Sequence, residues 1–120
     1  LLEDYPVKGR TRSAKEKKFH DLLCQEVGCL PCLADTGLRN THVSIHHADG
    51  RTKPYAHWYV LPLCAGHHQD GYGEKGQIAV HPHKARFEEK YGKQMDLLRQ
   101  SIQHLVDQGH QLPAEALAIL

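Results

Sequence analysis

Two pairs of residues, each three positions apart, could hold one metal ion between them. In Cys29-Leu-Pro-Cys32 a tight turn can aim two thiolates at one point, and Cys64-Ala-Gly-His67 repeats the spacing with an imidazole in the fourth place. This spacing recurs in structural zinc sites, and four protein ligands close a tetrahedral shell that leaves no place for a reactive water. Cys29, Cys32, Cys64 and His67 are therefore expected to bind a structural Zn2+ that ties the first knuckle to the end of a later strand. Such a tie matters most where the core is small. Cys24 stands outside the pattern and is expected to pack beside Leu23 and Val27.

A different chemistry is open to the adjacent pair His46-His47 together with His68. Neighbouring residues on a strand point to opposite sides, so one imidazole of the pair can hold a metal while the other takes a proton. Phosphodiester hydrolysis needs both, a deprotonated water for attack and a Lewis acid for the leaving oxygen. A histidine base, with a reference pKa near ~6.5, suits that task at neutral pH. His68 follows the knuckle residue His67 and could turn toward this second ion, whose shell would stay open for water and phosphate.

Certain elements must position these groups. Phe19, Leu22, Leu23 and Val27 recur at steps of three and four, which predicts an amphipathic helix over 13–26. Ser13 and Glu16 fit a capping box at its start, and Gly28 would end it. Residues 29–40 read as turns. Alternation over 41–47 predicts a strand, and 57–63, rich in Trp, Tyr, Val and Leu, predicts a second, with Pro62 at an edge or terminus. A short helical turn after Cys64 carries His67 and His68, and 70–76 is a glycine-rich loop. Pro82 suits the first turn of a helix reaching Tyr91. A last helix over 93–108 places Leu98, Ile102, Leu105 and Val106 on one core face, and the apolar tail 114–120 could dock as one more turn.

The 120 residues suffice for one domain and not for two. The net charge of +1 announces no partner, but its distribution does. Lys8, Arg10, Arg12, Lys15, Lys17 and Lys18 stand against the single acid Glu16 in that stretch. A basic arm of this kind suits phosphate contact, because each neutralised phosphate releases counterions; a solvated tail is the competing reading. The division expected is a flexible basic arm over 1–18 and a folded domain over 19–120. No secretory or transmembrane run is present, so metal ligation is favoured over disulfides for the four cysteines. The chain starts at Leu1 rather than methionine, so it reads as a piece that has lost its start, and a missing targeting signal weighs less than usual.

The runs Ile45-His-His-Ala-Asp-Gly50 and Val60-Leu-Pro-Leu-Cys-Ala-Gly-His-His68 resemble the core of the HNH endonucleases. Extended through Arg51-Thr-Lys-Pro54, Gln69-Asp70 and Ala79-Val-His-Pro-His-Lys-Ala-Arg-Phe-Glu-Glu-Lys-Tyr-Gly92, the match is closer still to the Ref family of phage recombination-enhancement nucleases, over roughly 29–92. The resemblance implies an α+β fold with a small ββα-metal (HNH) core, a structural zinc knuckle and flanking helices. It implies a DNA endonuclease with His46 and His68 as ligands of Mg2+ or another divalent metal and His47 as the catalytic general base. It further implies that the arm binds DNA, that cutting depends on a RecA filament, and that the protein works in the cytoplasm of a bacterial host cell.

The usual HNH asparagine, which orients the base, is replaced here by Tyr59. His57 or a backbone carbonyl could take over that task. His81 could be a third ligand of the catalytic metal or a helix-entry residue beside Pro82, and Asp70 is a further oxygen donor. His83, His104 and His110 are read as exposed, and His42, on the strand face of His46, as packed or solvated with substrate contact the alternative. Arg51, Lys53, Lys84 and Arg86 flank the site and could hold phosphates, a solvated surface charge being the expectation for any one of them. The competing function is a non-catalytic, zinc-dependent DNA- or protein-binding module.

Overall fold

The computed structural model describes residues 9–120. Ser13 caps α1 (Ala14–Leu22) through the expected box: the Glu16 N–H donates to Ser13 Oγ at 3.2 Å, and the Ser13 N–H to Glu16 Oε1 at 2.7 Å. The helix runs on as a π-helical turn over Leu23–Val27, closed by the Gly28 N–H on the Leu23 carbonyl. Gly28 has φ +74, and a Cβ there would collide with the Asn40 carbonyl. Glycine is needed at this position on both counts.

The next segment departs from expectation. Residues read as turns form α2 (Leu30–Thr36), with Cys29 at its N-cap, Pro31 in its first turn and Gly37 in the left-handed conformation at its end. Proline costs nothing in a first turn, where the missing N–H would have no helical partner. The Cys29–Cys32 spacing is therefore a turn of helix rather than an irregular knuckle.

Strands β1 (Ser44–His47) and β2 (Val60–Leu63) pair antiparallel, with Ile45 opposite Pro62, His46 opposite Leu61 and His47 opposite Val60. Both are shorter than predicted. His57, Trp58 and Tyr59 belong instead to the connection between the strands, which the Ala48 N–H on the Tyr59 carbonyl closes. In a two-stranded sheet each strand has a free edge, which accommodates the missing N–H of Pro62.

Four helices complete the fold: α3 (Ala65–His68), α4 (Val80–Tyr91), α5 (Gln94–Asp107) and α6 (Ala114–Leu117). The fold class is α+β, as expected. α5 packs on the π turn and on β2, joining Leu97, Leu98, Ile102 and Leu105 to Phe19, Leu23, Val27, Val60, Leu63 and Phe87 in one core. Val106, predicted on this face, is 36% exposed. Two turns beyond Leu98, the 3.6-residue period has carried it off the stripe, and Leu97 packs inside instead. The tail docks as predicted, with Ala116 buried and Glu115 bonded to Lys15 of α1 at 2.9 Å. Among the described residues no helix is long and apolar enough to cross a membrane.

Candidate metal centres and base

The Cys29–Cys32 turn of α2, the end of β2 and the first turn of α3 converge on one buried point. Cys29, Cys32, Cys64 and His67 are all buried there. His67 Nδ1 lies 3.1 Å from Cys64 Sγ and 3.5 Å from the sulfurs of Cys29 and Cys32, and the Cys32 and Cys64 sulfurs are 3.5 Å apart. A disulfide would bring two sulfurs to about 2.05 Å. A zinc tetrahedron has edges of roughly 3.5–3.8 Å given its ligand bond lengths, so the observed spacing fits an ion at the centre. Burial pushes the Cys29 and Cys32 thiols up in pKa, a cost that a dication among them would offset.

The outer face of His67 is also held. Its Nε2 donates to Asp35 Oδ2 at 2.9 Å, which leaves Nδ1 to ligate. Tyr91 Oη donates to the same oxygen at 2.7 Å, and Lys90 Nζ lies 3.1 Å from Oδ1. Burial alone would raise the Asp35 pKa, but Tyr91, His67 and Lys90 outweigh it and keep the carboxyl ionised. A carboxylate behind a ligating imidazole fixes its tautomer and raises its basicity. Replacing Asp35 with asparagine is expected to weaken zinc affinity about 10- to 100-fold, as read by competition with a chromophoric chelator. An unchanged affinity would remove Asp35 from the site.

His46 from β1, His68 from the end of α3 and His81 from the start of α4 turn toward a second point. Their potential ligand atoms all lie within 4.8 Å of one another. His81 is brought in because α4 is not yet regular there: its backbone is extended (φ −109, ψ 115), and the Asp70 N–H donates to its carbonyl at 2.8 Å, docking it on the segment after His68. His46 Nε2 donates to Gln94 Oε1 at 2.8 Å, leaving Nδ1 with its lone pair. Burial drives the His46 pKa down to about 4, the Gln94 bond opposing and His68 and His81 adding to the fall. Burial likewise lowers His68. Neutral imidazoles are the form that binds metal. The cluster opens on a cavity of about 530 Å³ that His47, Arg51, Lys84 and Gln94 also line. Three protein ligands with an open side are the donor arrangement of a catalytic rather than a structural ion.

His47 points away from His46, as strand geometry requires, yet borders the same cavity. Its Nε2 is 3.0 Å from His57 Nδ1, and Arg51 donates to its Nδ1 at 3.3 Å. Burial lowers its pKa to about 4, with Arg51, His57, His20 and His46 contributing. Tyr59, expected from the resemblance to stand where an asparagine orients the base, packs against Tyr55 with ring centroids 4.4 Å apart and planes tilted by 46°.

A sequence-family model described as "recombination enhancement, RecA-dependent nuclease" matches residues 12–106, a span that contains both clusters and His47. The chain belongs to this family. It is also similar to an uncharacterized protein, YdfU, of Escherichia coli (strain K12), at 33% identity over 90 residues. That match covers 74% of this chain and 22% of YdfU, so the chain spans less than a quarter of the relative's length.

The other candidates of this RecA-dependent nuclease family member fall in several places. Lys8, with the rest of 1–8, lies outside the described residues, and 14–18 of the stretch read as an arm belong to α1. Arg10 donates to the Pro54 carbonyl at 2.6 Å, and Arg12 to His20 Nδ1 at 3.1 Å. Lys15 pairs with Glu115 and Lys17 with Asp21, and Lys18 is exposed. Asp70 stands apart from the cluster, 3.5 Å from His83 Nε2. His42 is exposed, but His83, His104 and His110 are half-buried rather than exposed. Lys53 is held by Asp49 at 3.0 Å, and Cys24 is half-buried, outside both clusters. Sequence reasoning missed Asp35, Tyr91, Gln94 and His20. Only Asp35 had a signal, since it continues the spacing of Cys29 and Cys32 along one face of a helix.

Proposed function

We propose that this chain is a metal-dependent DNA endonuclease of the HNH type, acting on DNA bound or paired by a RecA filament during phage recombination. The observation that carries the reading is the shared cavity, where three histidines leave one side open and a fourth, His47, borders the same space. His46, His68 and His81 would hold Mg2+ or another divalent ion. When bound there, such an ion supplies Lewis-acid stabilisation of the charge that grows on the phosphate and the leaving oxygen. His47 takes the proton of the attacking water, and Arg51 and Lys84 offer positive charge to the phosphate from the cavity wall. Cys29, Cys32, Cys64 and His67 hold a structural Zn2+ that carries no chemistry.

Dependence on RecA rests on the description of the family, and it would place the work in the bacterial cytoplasm. The basic N-terminal stretch serves DNA; within it Lys18 is the exposed cation, whereas Lys15 and Lys17 already face carboxylates and the Arg10 and Arg12 guanidiniums are bonded to Pro54 and His20. A non-catalytic zinc module would need neither the second cluster nor its open side.

His81 tests this reading well because its side chain is exposed and the fold does not lean on it. The His81→Ala variant should need about tenfold or more divalent cation to reach half-maximal cutting of circular DNA, since it loses one of three ligands. Cutting that ignores chelators, or an unshifted cation titration, would count against the assignment.

A further inference from the structure

Behind His47 lies a series of hydrogen bonds whose direction is fixed at one end. His57 Nε2 is 2.6 Å from the Arg10 carbonyl oxygen. A carbonyl only accepts, so Nε2 carries the hydrogen, and in the Nε2–H tautomer Nδ1 is the acceptor. His47 Nε2, 3.0 Å from that Nδ1, is therefore the donor. The lone pair of a neutral His47 then falls on Nδ1, where the Arg51 guanidinium donates at 3.3 Å. His57 is itself anchored, because His20 Nε2 donates to its carbonyl at 2.6 Å and His20 Nδ1 accepts from Arg12.

Three of these supports come from residues 9–12, far from the sheet in sequence. The Arg10 carbonyl meets His57, the Arg12 guanidinium meets His20, and the Arg10 guanidinium meets the Pro54 carbonyl. Gly9, at φ +80, lies so close to Arg51 that a Cβ would collide with the Arg51 carbonyl. The segment is thus seated against the connection between the strands, immediately behind the base.

We propose that His57 is the positioning residue of the base, and that the seated segment 9–12 holds it in that role. The Arg10 carbonyl orients two imidazoles in series, so that the His47 lone pair stays on Nδ1, the atom that takes the proton of the attacking water when Arg51 turns from it to the phosphate. The imidazole of His57 does here what an asparagine amide does at the position of Tyr59. The N-terminal segment consequently contributes to turnover as well as to DNA affinity. This rests on the reading of His47 as the base.

The tautomers can be read without any activity. Long-range 1H–15N correlation spectra of the zinc-loaded full chain, with rings assigned by His47→Gln and His57→Gln, should show His47 and His57 both protonated on Nε2. His47 protonated on Nδ1, or a mixture of the two forms, would overturn the proposal. Kinetics on bis(4-nitrophenyl) phosphate, a single diester without flanking nucleotides, supply the second arm. His57→Phe should lower kcat about 10- to 100-fold, the usual range for a residue behind a working ligand or base, with KM little changed. His57→Gln, whose amide oxygen can accept from His47 Nε2, should recover most of that loss, and deletion of residues 1–11 should reproduce the phenylalanine variant. Equal losses for Phe and Gln, or full kcat in the truncated chain, would also overturn the proposal. Full activity in His47→Ala would instead reject His47 as base, a failure the spectra distinguish.

Discussion

Replacing Cys64 with serine, or removing zinc with a strong chelator, is expected to unfold the domain. The four ligands join three parts of the chain at one point: the start of α2, the end of β2 and the first turn of α3. Neither α2 nor α3 exceeds seven residues, and helices this short do not persist alone in water. Structural zinc contributes about 10–16 kcal/mol in small zinc-folded peptides, whereas a whole domain is stable by about 5–15 kcal/mol. Losing the ion therefore exceeds what the remaining core can offset. Thermal melting by circular dichroism should show the cooperative transition lost on chelation and restored by added zinc. Cys24→Ser, outside the cluster, should melt like the parent. A Cys64→Ser protein that melts at the parent temperature would show that the cluster is only buried thiols.

The second large effect is expected at His47. The His47→Ala variant should cut DNA about 10²- to 10⁴-fold more slowly, the usual contribution of a positioned general base, while keeping its zinc and its melting temperature. The side chain is only half-buried, so truncation leaves the core intact. With its pKa held at about 4 by burial and by the neighbouring Arg51, His47 is neutral near pH 7 and begins in the form that accepts a proton. Single-turnover cleavage at saturating enzyme isolates this step from DNA binding. A rate within about twofold of the parent would transfer the proton to another group, because loss of a transition-state interaction appears in kcat.

Much of this site is written locally in the chain, and what is not local was hidden. Cys29-x-x-Cys32 and Cys64-x-x-His67 announce their grouping by their spacing, and the strand alternation at His46-His47 announces two different faces, so the grouping of the first cluster and the divergence of the pair were legible. The capping box of Ser13 and Glu16 was legible for the same reason. α2 was not, because Pro31, Gly37 and a seven-residue length look like turn chemistry. Missing that helix also hid Asp35, one turn past Cys32 on the same face and bonded to His67. Gln94 meets His46 across 48 residues, and Arg10 meets His57 across 47. No periodicity reports such a contact, which arises from α5 and the N-terminal segment packing against β1 and the connection between the strands. The replacement for the HNH asparagine was left open between His57 and a backbone carbonyl. His57 Nδ1 lies 3.0 Å from His47 Nε2, and the Arg10 carbonyl lies 2.6 Å from the other ring nitrogen of His57.

The most direct measurement is cleavage of circular single-stranded DNA by the parent chain and by His47→Ala, with and without RecA and ATP, in magnesium, manganese or chelator. The account predicts that the parent cuts only when RecA, ATP and a divalent cation are all present, and that His47→Ala binds the same DNA without cutting it. DNA binding by the parent without cleavage under any of these conditions would contradict it, and would leave a zinc-stabilised binding domain in place of a nuclease.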